Sequence, residues 1–508
     1  MRSQPNILFI QADQMAAAPL PVYGGQHVLA PHLQALAEGA TVFDAAYCNS
    51  PICAPSRFSM MTGRLPTSIG AYDNASELAA SRPTLAHYLA RAGYRTILAG
   101  KMHFIGPDQL HGFAERLTTD IYPADFAWTP NWAAGPRDKP SGISMVNVLQ
   151  AGPCIRSLQM DYDDEVEHLA VQRLYDLARD PERKPFFLAA SFSHPHPPYT
   201  AGQQWWDRYE HERIDMPAVA PIPVEQRDVH SQWLHLSHSA DLQPVTDEQV
   251  RNARHAYYAN ISYIDDKVGR LLQVLQDCGM ANDTVVVFTS DHGEMLGERG
   301  MFYKQTFFEP SARVPLIVRH PGCDAVRRVA DPVSLVDLLP TIMDWAGGAG
   351  DWPEPLDGRS WQPLLEGSAV QARAVISEYT DMGVIAPARM LRAGDHKYVH
   401  THGYPAQFYN LASDPLELVN ISGRPDLVQL EAQFAQALLH GWDADAVLAD
   451  VLASQRRRLY VKAAAAMTEP RTCWDYQAAR DDSRRFVRAH GAAGAKALAR
   501  FPYVAPPG

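Results

Sequence analysis

The sequence predicts an α/β protein with a large, mostly parallel central sheet flanked by helices. Three short apolar runs predict its central strands, at residues 6–11, 185–192 and 284–289. Continuous apolar runs of this length are typical of strands that helices cover on both faces. A long amphipathic helix, residues 247–277, precedes the third run, and strands that alternate with helices favour parallel pairing. The residues that end these strands are therefore expected along one edge of the sheet, where ligands bind in such folds.

Composition narrows the class of protein. The chain has 508 residues, of which 46% are hydrophobic and 20% charged, as in ordinary soluble globular proteins. At roughly 150 residues per domain, this length allows two or three domains, or one large α/β domain with an appendage. A net charge of −12 argues against a general nucleic-acid binder, because phosphate binding needs a basic surface. A small anion held in a locally positive pocket is compatible with that charge.

No targeting or membrane segment is visible in the sequence. Residues 1–5 lead directly into the first strand, which is too short for the apolar core of a signal peptide. No apolar run is long enough to span a bilayer, so no membrane partner is expected. The six cysteines, at positions 48, 53, 154, 278, 323 and 473, lack metal-like spacing, so we expect a cytoplasmic location.

A reactive side chain is indicated at the start of a helix by residues 53–64, Cys-Ala-Pro-Ser-Arg-Phe-Ser-Met-Met-Thr-Gly-Arg. Cys53 and Pro55 precede an apolar-patterned run, which predicts a helix that begins at the cysteine. Backbone N–H groups at a helix start attract anions, and Arg57 adds a bidentate donor for sulfate or phosphate. The alternative is a buried structural cysteine beside a surface arginine.

Metal ligands are indicated at two strand ends. Asp13 and Gln14 follow the first strand, and Asp291 and His292 follow the strand at residues 284–289. Carboxylate, amide and imidazole groups together suit a divalent cation. The alternative for Asp13 is a residue that only starts a turn.

Cationic and proton-donating side chains are expected around this cation. Lys101 and His103 follow a strand at residues 94–100, and side chains at i and i+2 of an extended chain face the same way. His196 is held between prolines, and Lys304 follows the Asp-His pair. Solvated surface residues are the alternative for Lys101 and His103.

Five segments, in order, resemble the signature segments of type I sulfatases, and the match covers nearly the whole chain. They are residues 13–14, 53–64, 100–103, 194–197 and 289–293. Within that family the likeness is greatest to choline-sulfatases, through residues 110–126, 162–165 and 474–477. The resemblance implies an alkaline-phosphatase-like fold, with a mixed, mostly parallel sheet in a catalytic domain at residues 1–370. It also implies a small antiparallel sheet at residues 371–450 and an extended tail at residues 451–508.

The resemblance further implies hydrolysis of a sulfate monoester by formylglycine, which a maturation enzyme forms from Cys53. One divalent cation, Ca²⁺ or else Mn²⁺, would be held by Asp13, Gln14, the converted Cys53, Asp291 and His292. Lys101, His196 and Lys304 would neutralise the sulfuryl oxygens and the departing alkoxide, and one of them would supply its proton. His103 is implied as the base of the second step, Arg57 as the group that orients the diol, and Asn74 as a hydrogen-bond donor to sulfate.

The leaving-group pocket departs from the choline-sulfatase pattern. Trp128 matches the aromatic wall of that subgroup, which binds a quaternary ammonium by cation–π attraction. The subgroup's histidine falls on Val146, next to Asn147, and its acidic residue falls on Met382, next to Asp381. These substitutions favour an alkyl or aryl sulfate, with binding residues at Asn74, Trp128, Asn147 and Met382. Choline-O-sulfate and a phosphonate or phosphodiester are the alternative substrates, and an anion-sensing relative with an unconverted cysteine is the non-enzyme alternative.

The C-terminal part from Val451 is basic and is expected to be irregular. The run Arg456–Arg458 is interpreted as a solvated or subunit-bridging segment and not as a nucleic-acid site, because the whole chain is acidic. Tails of choline-sulfatases pack across neighbouring subunits, so the resemblance predicts a homo-oligomer, either a dimer or a tetramer.

Overall fold

The computed structural model describes residues 4–321, 327–348, 350, 352–368, 373–468 and 473–478. The strands are β1 (Asn6–Asp13), β2 (Thr41–Phe43), β3 (Ala46–Tyr47), β4 (Arg95–Gly100), β5 (Glu115–Arg116), β6 (Gly152–Cys154), β7 (Phe186–Pro195), β8 (Thr200–Gly202), β9 (Thr284–Ser290), β10 (Arg313–Val314), β11 (Leu316–Arg319), β12 (Arg327–Val329), β13 (Val333–Ser334), β14 (Ala374–Tyr379), β15 (Ala388–Ala393), β16 (His396–Thr401) and β17 (Gln407–Asn410). The α-helices are α1 (Pro31–Glu38), α2 (Cys53–Thr62), α3 (Leu85–Arg91), α4 (Val146–Leu149), α5 (Leu158–Arg179), α6 (Gln203–Trp206), α7 (Val229–Ser237), α8 (Asp247–Asp277), α9 (Glu309–Ala312), α10 (Leu338–Trp345), α11 (Gln362–Leu365), α12 (Val428–Leu439) and α13 (Ala444–Ala465).

A mixed, mostly parallel sheet of eight strands forms the centre of the protein and confirms the predicted fold class. Its strand order is β12-β2-β11-β9-β1-β7-β4-β5. The pairs from β9 to β5 are all parallel, whereas β11 runs antiparallel to both β9 and β2. β1 lies in the middle, between β7 and β9, and is buried along almost its whole length because helices cover both faces.

Helices pack on both faces of the sheet around two separate apolar clusters. On one face the cluster includes Leu8 and Ile10 of β1 together with residues of α1, α5 and α8. On the other face it includes Ile7 and Phe9 of β1 with residues of α2, α3 and α10. The alternation of side chains along β1 therefore divides the core into two layers. Helix α8 begins at a capping box formed by Thr246 and Gln249, as its sequence pattern indicates.

The carboxyl ends of β1, β4, β7 and β9 lie at one edge of this sheet, and the functional residues follow them. Gly100, the last residue of β4, has a φ of 107°, and a Cβ there would lie 1.9 Å from the carbonyl oxygen of Ser191. Only glycine allows the two backbones to approach this closely, so Gly100 fixes where the chain leaves the sheet before Lys101.

A four-stranded antiparallel sheet, β14-β15-β16-β17, follows in the C-terminal part and agrees with the expected small sheet. The expectation of an irregular chain from Val451 is wrong up to Ala465, because helix α13 crosses that position. Asp443 caps the helix at its N-terminus, and an alanine-rich sequence with few breakers continues it. Among the described residues, no helix is long and apolar enough to cross a membrane.

Candidate active site

Cys53 is the first residue of helix α2, as the sequence predicts. The backbone N–H of Ala54 donates to Oδ1 of Asn74 at 2.9 Å, so a residue from a distant turn satisfies an unpaired donor at the helix start. All ten residues of α2 are buried, and Cys53 itself is 1% exposed. The cysteine therefore lies at a helix start inside the protein, and not at the surface.

Four of the predicted metal ligands converge at the strand ends. Ligand atoms of Asp13, Cys53, Asp291 and His292 lie within 4.8 Å of one another, and all four residues are buried. His292 Nε2 is 3.2 Å from Cys53 Sγ, 3.9 Å from Asp13 Oδ1 and 3.7 Å from Asp291 Oδ1. Two buried carboxylates close to an imidazole make a suitable set of ligands for a divalent cation.

The surroundings of His292 and Gln14 fit a bound cation. His292 Nδ1 donates to the carbonyl of Gly293 at 3.1 Å, which leaves Nε2 unprotonated and directed at the carboxylates. Burial lowers the pKa of His292 to about 4, so its imidazole is neutral near pH 7. The Gln14 amide donates from Nε2 to buried Glu294, which directs Oε1 away from that carboxylate. Both residues thus present a lone pair and not a proton to the site.

Arg57 occupies a different position from the one expected of an anion-binding arginine. Its Nε donates to Asp291 at 2.8 Å, its Nη2 to Asp13 at 3.3 Å, and its Nη1 to the Lys101 carbonyl and to Ser191 Oγ. Four of its five N–H groups are engaged in this way, so the guanidinium orients the two carboxylates. Arg57 is therefore not the free bidentate donor for an anion that the sequence predicts.

Lys101 is fully buried beside Asp13 and forms an ion pair with it. Its ammonium also lies 4.2 Å from the centre of the Tyr122 ring. Burial opposes charge on both partners, but the ion pair outweighs it: the pKa of Asp13 is held well below its ordinary value and that of Lys101 is raised. Both groups are therefore charged near pH 7.

Lys304 and His196 form the opposite side of the site. The Lys304 ammonium donates to His196 Nε2 at 2.7 Å and also to Oε1 of Gln14. His196 Nδ1 donates to the carbonyl of Pro197 at 2.7 Å, and Tyr122 Oη is 3.1 Å from the same nitrogen. Burial, together with the nearby Lys304 charge, holds the pKa of His196 well below its ordinary value. The pair therefore presents a neutral imidazole and an ammonium to the same space.

His103 reaches the site through a backbone turn and not through the extended chain that the sequence predicts. It lies beyond the end of β4 with a φ of 62°, so the extended geometry assumed for Lys101 and His103 is wrong. Asp120 holds this turn by accepting hydrogen bonds from the backbone N–H groups of Met102 and His103. The His103 ring is buried beside Cys53, and burial lowers the pKa of His103.

The predicted leaving-group residues divide into two sets. The Trp128 ring centre lies 5.6 Å from that of His103 and 4.7 Å from that of Tyr122, so the predicted aromatic wall adjoins the reactive groups. Asn147 lies next to Tyr303, and the carbonyl of Met382 accepts a hydrogen bond from Gln305 Nε2. Asn147 and Met382 thus contact the residues on either side of Lys304.

Two residues of the site, Glu294 and Asp120, were not identified from the sequence, and Tyr122 was expected only as part of an aromatic segment that shapes a pocket. Glu294 orients Gln14, Asp120 holds the turn of His103, and Tyr122 packs between Lys101, His196 and Trp128. Glu294 comes two residues after His292, and this spacing was the one local signal that could have indicated it. Asp120 and Tyr122 lie in an irregular segment, where no periodic pattern reports side-chain direction.

Comparison with known proteins agrees with this geometry. The family model described as Sulfatase matches residues 5–349, the C-terminal model of N-sulphoglucosamine sulphohydrolase matches residues 297–442, and that of the choline sulfatase enzyme matches residues 449–501. Choline-sulfatase of Rhizobium meliloti (strain 1021) is 44% identical over 496 residues, which is 96% of each chain. Arylsulfatase K of Bos taurus is 28% identical over 445 residues, 83% of this chain and 78% of that protein.

Among solved structures, the phosphonate monoester hydrolase SpPMH from Silicibacter pomeroyi superposes with a TM-score of 0.70 at 26% identity. That superposition covers 86% of this chain and 95% of the hydrolase. The matched family region includes all of the ligand and cation positions described above. The chain belongs to the sulfatase family and is a sulfuric ester hydrolase.

Proposed function

We propose that the protein hydrolyses an alkyl or aryl sulfate monoester to an alcohol and inorganic sulfate, with formylglycine formed from Cys53 as the nucleophile. A hydrated formylglycine at position 53 supplies one hydroxyl for attack on sulfur and a second through which sulfate is expelled. A plain thiol has no second hydroxyl and cannot complete this cycle. The buried position of Cys53 at the start of α2, among two carboxylates and an imidazole, supports the assignment.

The proposed cation is Ca²⁺, with Mn²⁺ as the alternative, held by Asp13, Gln14, residue 53, Asp291 and His292. When bound, it supplies a positive charge that polarises a sulfate oxygen and favours ionisation of the nucleophilic hydroxyl. Two carboxylates and an amide oxygen are hard ligands, which favours Ca²⁺. Calorimetry with each ion on metal-free protein tests the choice; tighter binding of Mn²⁺ than of Ca²⁺ would reverse it.

The cationic side chains have separate proposed roles. Lys101 and Lys304 place positive charge beside the sulfuryl oxygens, and Asn74 directs its side-chain nitrogen towards them. The Lys304–His196 pair, linked at 2.7 Å, supplies a proton to the departing alkoxide. Burial lowers the pKa of His103, and its ring lies beside Cys53, so it is suited to accept a proton when sulfate is expelled.

The position of Asp381 carries the substrate proposal. Its carboxylate accepts hydrogen bonds from the backbone N–H groups of Asn74, at 3.0 Å, and Met382, and it is fully buried. It is therefore not available to neutralise a cationic leaving group. Met382, at the position where the resemblance to choline-sulfatases implies an acidic residue, has an apolar side chain. An uncharged alkyl or aryl group fits these residues better than a quaternary ammonium does.

Choline-O-sulfate is the second candidate, supported by the 44% identical relative and by the aromatic side chains of Tyr122 and Trp128. The decisive comparison is between choline-O-sulfate and 3,3-dimethylbutyl sulfate, which has the same shape and carries carbon in place of the charged nitrogen. We expect a higher kcat/KM for the uncharged ester. A higher kcat/KM for choline-O-sulfate would overturn the proposal and establish this second candidate.

A Met382→Glu variant extends this comparison. An added carboxylate beside the pocket is expected to raise the relative kcat/KM for choline-O-sulfate by about tenfold, because a nearby opposite charge stabilises the bound cation. Met382→Gln is the matched control, because glutamine is similar to glutamate in size and is polar but carries no charge. An equal effect of both substitutions would contradict a role of charge at position 382.

A phosphonate or phosphodiester substrate is the third candidate, favoured by the structural similarity to a phosphonate monoester hydrolase. The resemblance implies uncharged residues in that subgroup where this chain has Lys101 and His103, which favours a sulfate monoester here. A panel of aryl sulfate, phosphonate monoester and phosphodiester with one common leaving group tests this, and we expect the sulfate to react fastest.

A homo-oligomer, either a dimer or a tetramer, remains part of the proposal. It is supported by the match of residues 449–501 to the choline sulfatase C-terminal model and by the exposed apolar side chains of Leu452, Tyr460 and Val461 on α13. Light scattering on the full chain tests it, and a monomer at working concentration would contradict it.

A further inference from the structure

We propose that Arg458 is a positioning residue for hydrolysis. It fixes the turn that contains Asn74 relative to the segment that contains Trp128, and these two elements lie on either side of the substrate. The inference rests on the proposed function, because it assigns these two elements to the substrate pocket. Arg458 lies on α13, in the C-terminal part of the chain. Among the described residues its side chain bonds to Ser454, Asp73 and Thr129, and not to the metal ligands or Cys53.

Arg458 forms a buried bidentate pair with Asp73. Its Nη1 and Nη2 donate to Oδ1 and Oδ2 of Asp73, each at 2.6 Å. Arg458 is 6% exposed and Asp73 is fully buried, whereas Arg456 and Arg457, its neighbours in the basic run, are exposed. A paired fork geometry fixes both distance and orientation, so Arg458 is bound far more specifically than a solvated arginine.

The Asp73 side of this pair leads directly to the nucleophile. Asp73 Oδ1 also accepts a hydrogen bond from the backbone N–H of Ala75, which closes the turn around Asn74. The Asn74 side chain in turn accepts the hydrogen bond from Ala54 at the start of α2. A displacement of Asp73 is therefore passed through one turn to the residue after Cys53.

The same face of α13 also holds the aromatic wall. Gln455 Oε1 accepts a hydrogen bond from the backbone N–H of Trp132 at 2.9 Å, and Lys462 Nζ donates to the carbonyl of Ala127 at 2.6 Å. Arg458 Nη1 lies 3.5 Å from Thr129 Oγ1, between these two contacts. Gln455, Arg458 and Lys462 are spaced three and four positions apart, so they share one side of the helix. That side binds the segment that contains Trp128.

Charge explains why this position requires an arginine. Asp381, which lies close to Asp73, is buried as well, and Arg458 is near both. Burial and the neighbouring Asp73 raise the pKa of Asp381, so the charge on Asp73 depends on its pair with Arg458. Without Arg458 the Asp73 carboxylate would be buried with no cationic partner, which favours displacement of the turn. Lysine would keep the charge but not the paired geometry.

The test compares Arg458→Met and Arg458→Lys with Arg456→Met, an exposed arginine of the same helix, in full-length protein with equal Cys53 conversion. We expect Arg458→Met to lower kcat/KM for an aryl sulfate by about 100-fold, as a misplacement on the order of 1 Å does. The ratio of kcat/KM between aryl and 3,3-dimethylbutyl sulfate should change by about tenfold, because the Trp128 wall moves relative to the leaving group. Arg458→Lys should recover part of both effects, and Arg456→Met should change neither.

Two outcomes would overturn the inference. One is an unchanged ratio between the two esters with activity lost only in proportion to the folded fraction, which indicates a purely structural role. The other is unchanged hydrogen exchange at the amides of Asn74, Ala75 and Trp132 in Arg458→Met. The exchange measurement needs no substrate, so it tests the positioning role even if the wild-type protein hydrolyses neither ester and the proposed function fails. If Arg458→Met does not fold, Arg458→Lys gives the same readouts.

Discussion

Glu294 accepts a hydrogen bond from the side-chain amide of Gln14, and both side chains are buried. The other oxygen of Glu294 accepts from the backbone N–H groups of Leu296 and Tyr303, so the carboxylate is fixed at both ends. A carboxylate accepts hydrogen bonds and cannot donate them, which selects the amide rotamer that turns Gln14 Oε1 towards the proposed cation. Glu294 is therefore expected to control the orientation of Gln14 as a ligand of the cation.

Replacement of Glu294 by alanine is expected to lower cation affinity by about 10- to 100-fold, as for other groups that orient a metal ligand. Calorimetric titration of metal-free protein measures this directly. Glu298→Ala, a substitution at a partly buried glutamate outside the site, is the control. Unchanged affinity in Glu294→Ala would show that Gln14 is not a ligand or is oriented by other contacts.

Lys101 is expected to stabilise the metal-free protein more than the metal-bound one. In the absence of a cation, Lys101→Met leaves the buried Asp13 carboxylate with less compensation, at a cost of about 3–5 kcal/mol. A bound cation restores positive charge beside Asp13, so the decrease in Tm should be smaller with Ca²⁺ than with chelator. An equal decrease under both conditions would indicate that no cation binds at Asp13.

Conversion of Cys53 predicts an aldehyde that hydrazide reagents label in the wild-type protein and not in Cys53→Ala. The variant should lose hydrolysis completely because no other nucleophile replaces the hydrate. It should keep cation affinity within about tenfold, since the other proposed ligands remain. Activity in a preparation that mass spectrometry shows to be entirely thiol would contradict the formylglycine mechanism.

The buried carboxyl of Asp265, which is outside the active site, is expected to make the stability of the protein depend on pH. Burial raises its pKa from 3.8 to about 6, so its contribution to stability is present below pH 4 and is lost as the pH rises through 6. From pH 4 to 7, Asp265→Asn should gain about 2 kcal/mol relative to the wild type, measured by urea unfolding. The neighbouring Asp266 has a lowered pKa despite its burial, owing to Arg208 and Trp205, so Asp266→Asn should show the opposite trend.

Local sequence could predict Asp13, Asp291 and His292 because each directly follows a recognisable strand, and parallel strands end at one edge. Cys53 and Asn74 are linked by a hydrogen bond through Ala54, but only the cysteine belongs to a local helix pattern. Arg458 lies 385 positions from Asp73, and nothing in its own segment distinguishes it from the two exposed arginines before it. Its partner is set by how α13 docks on the sheet domain, which is a property of the whole fold.

The burial of Cys53 limits when another enzyme could modify this cysteine. A side chain that is 1% exposed, at the head of a helix whose residues are all buried, cannot enter the active site of another enzyme in the folded state. An enzyme that oxidises Cys53 must therefore meet it while the polypeptide is still unfolded. The helix that carries Arg458 is synthesised about 400 residues later and closes over the turn beside it. On the proposed mechanism, conversion of Cys53 would therefore have to precede the folding of the chain around it.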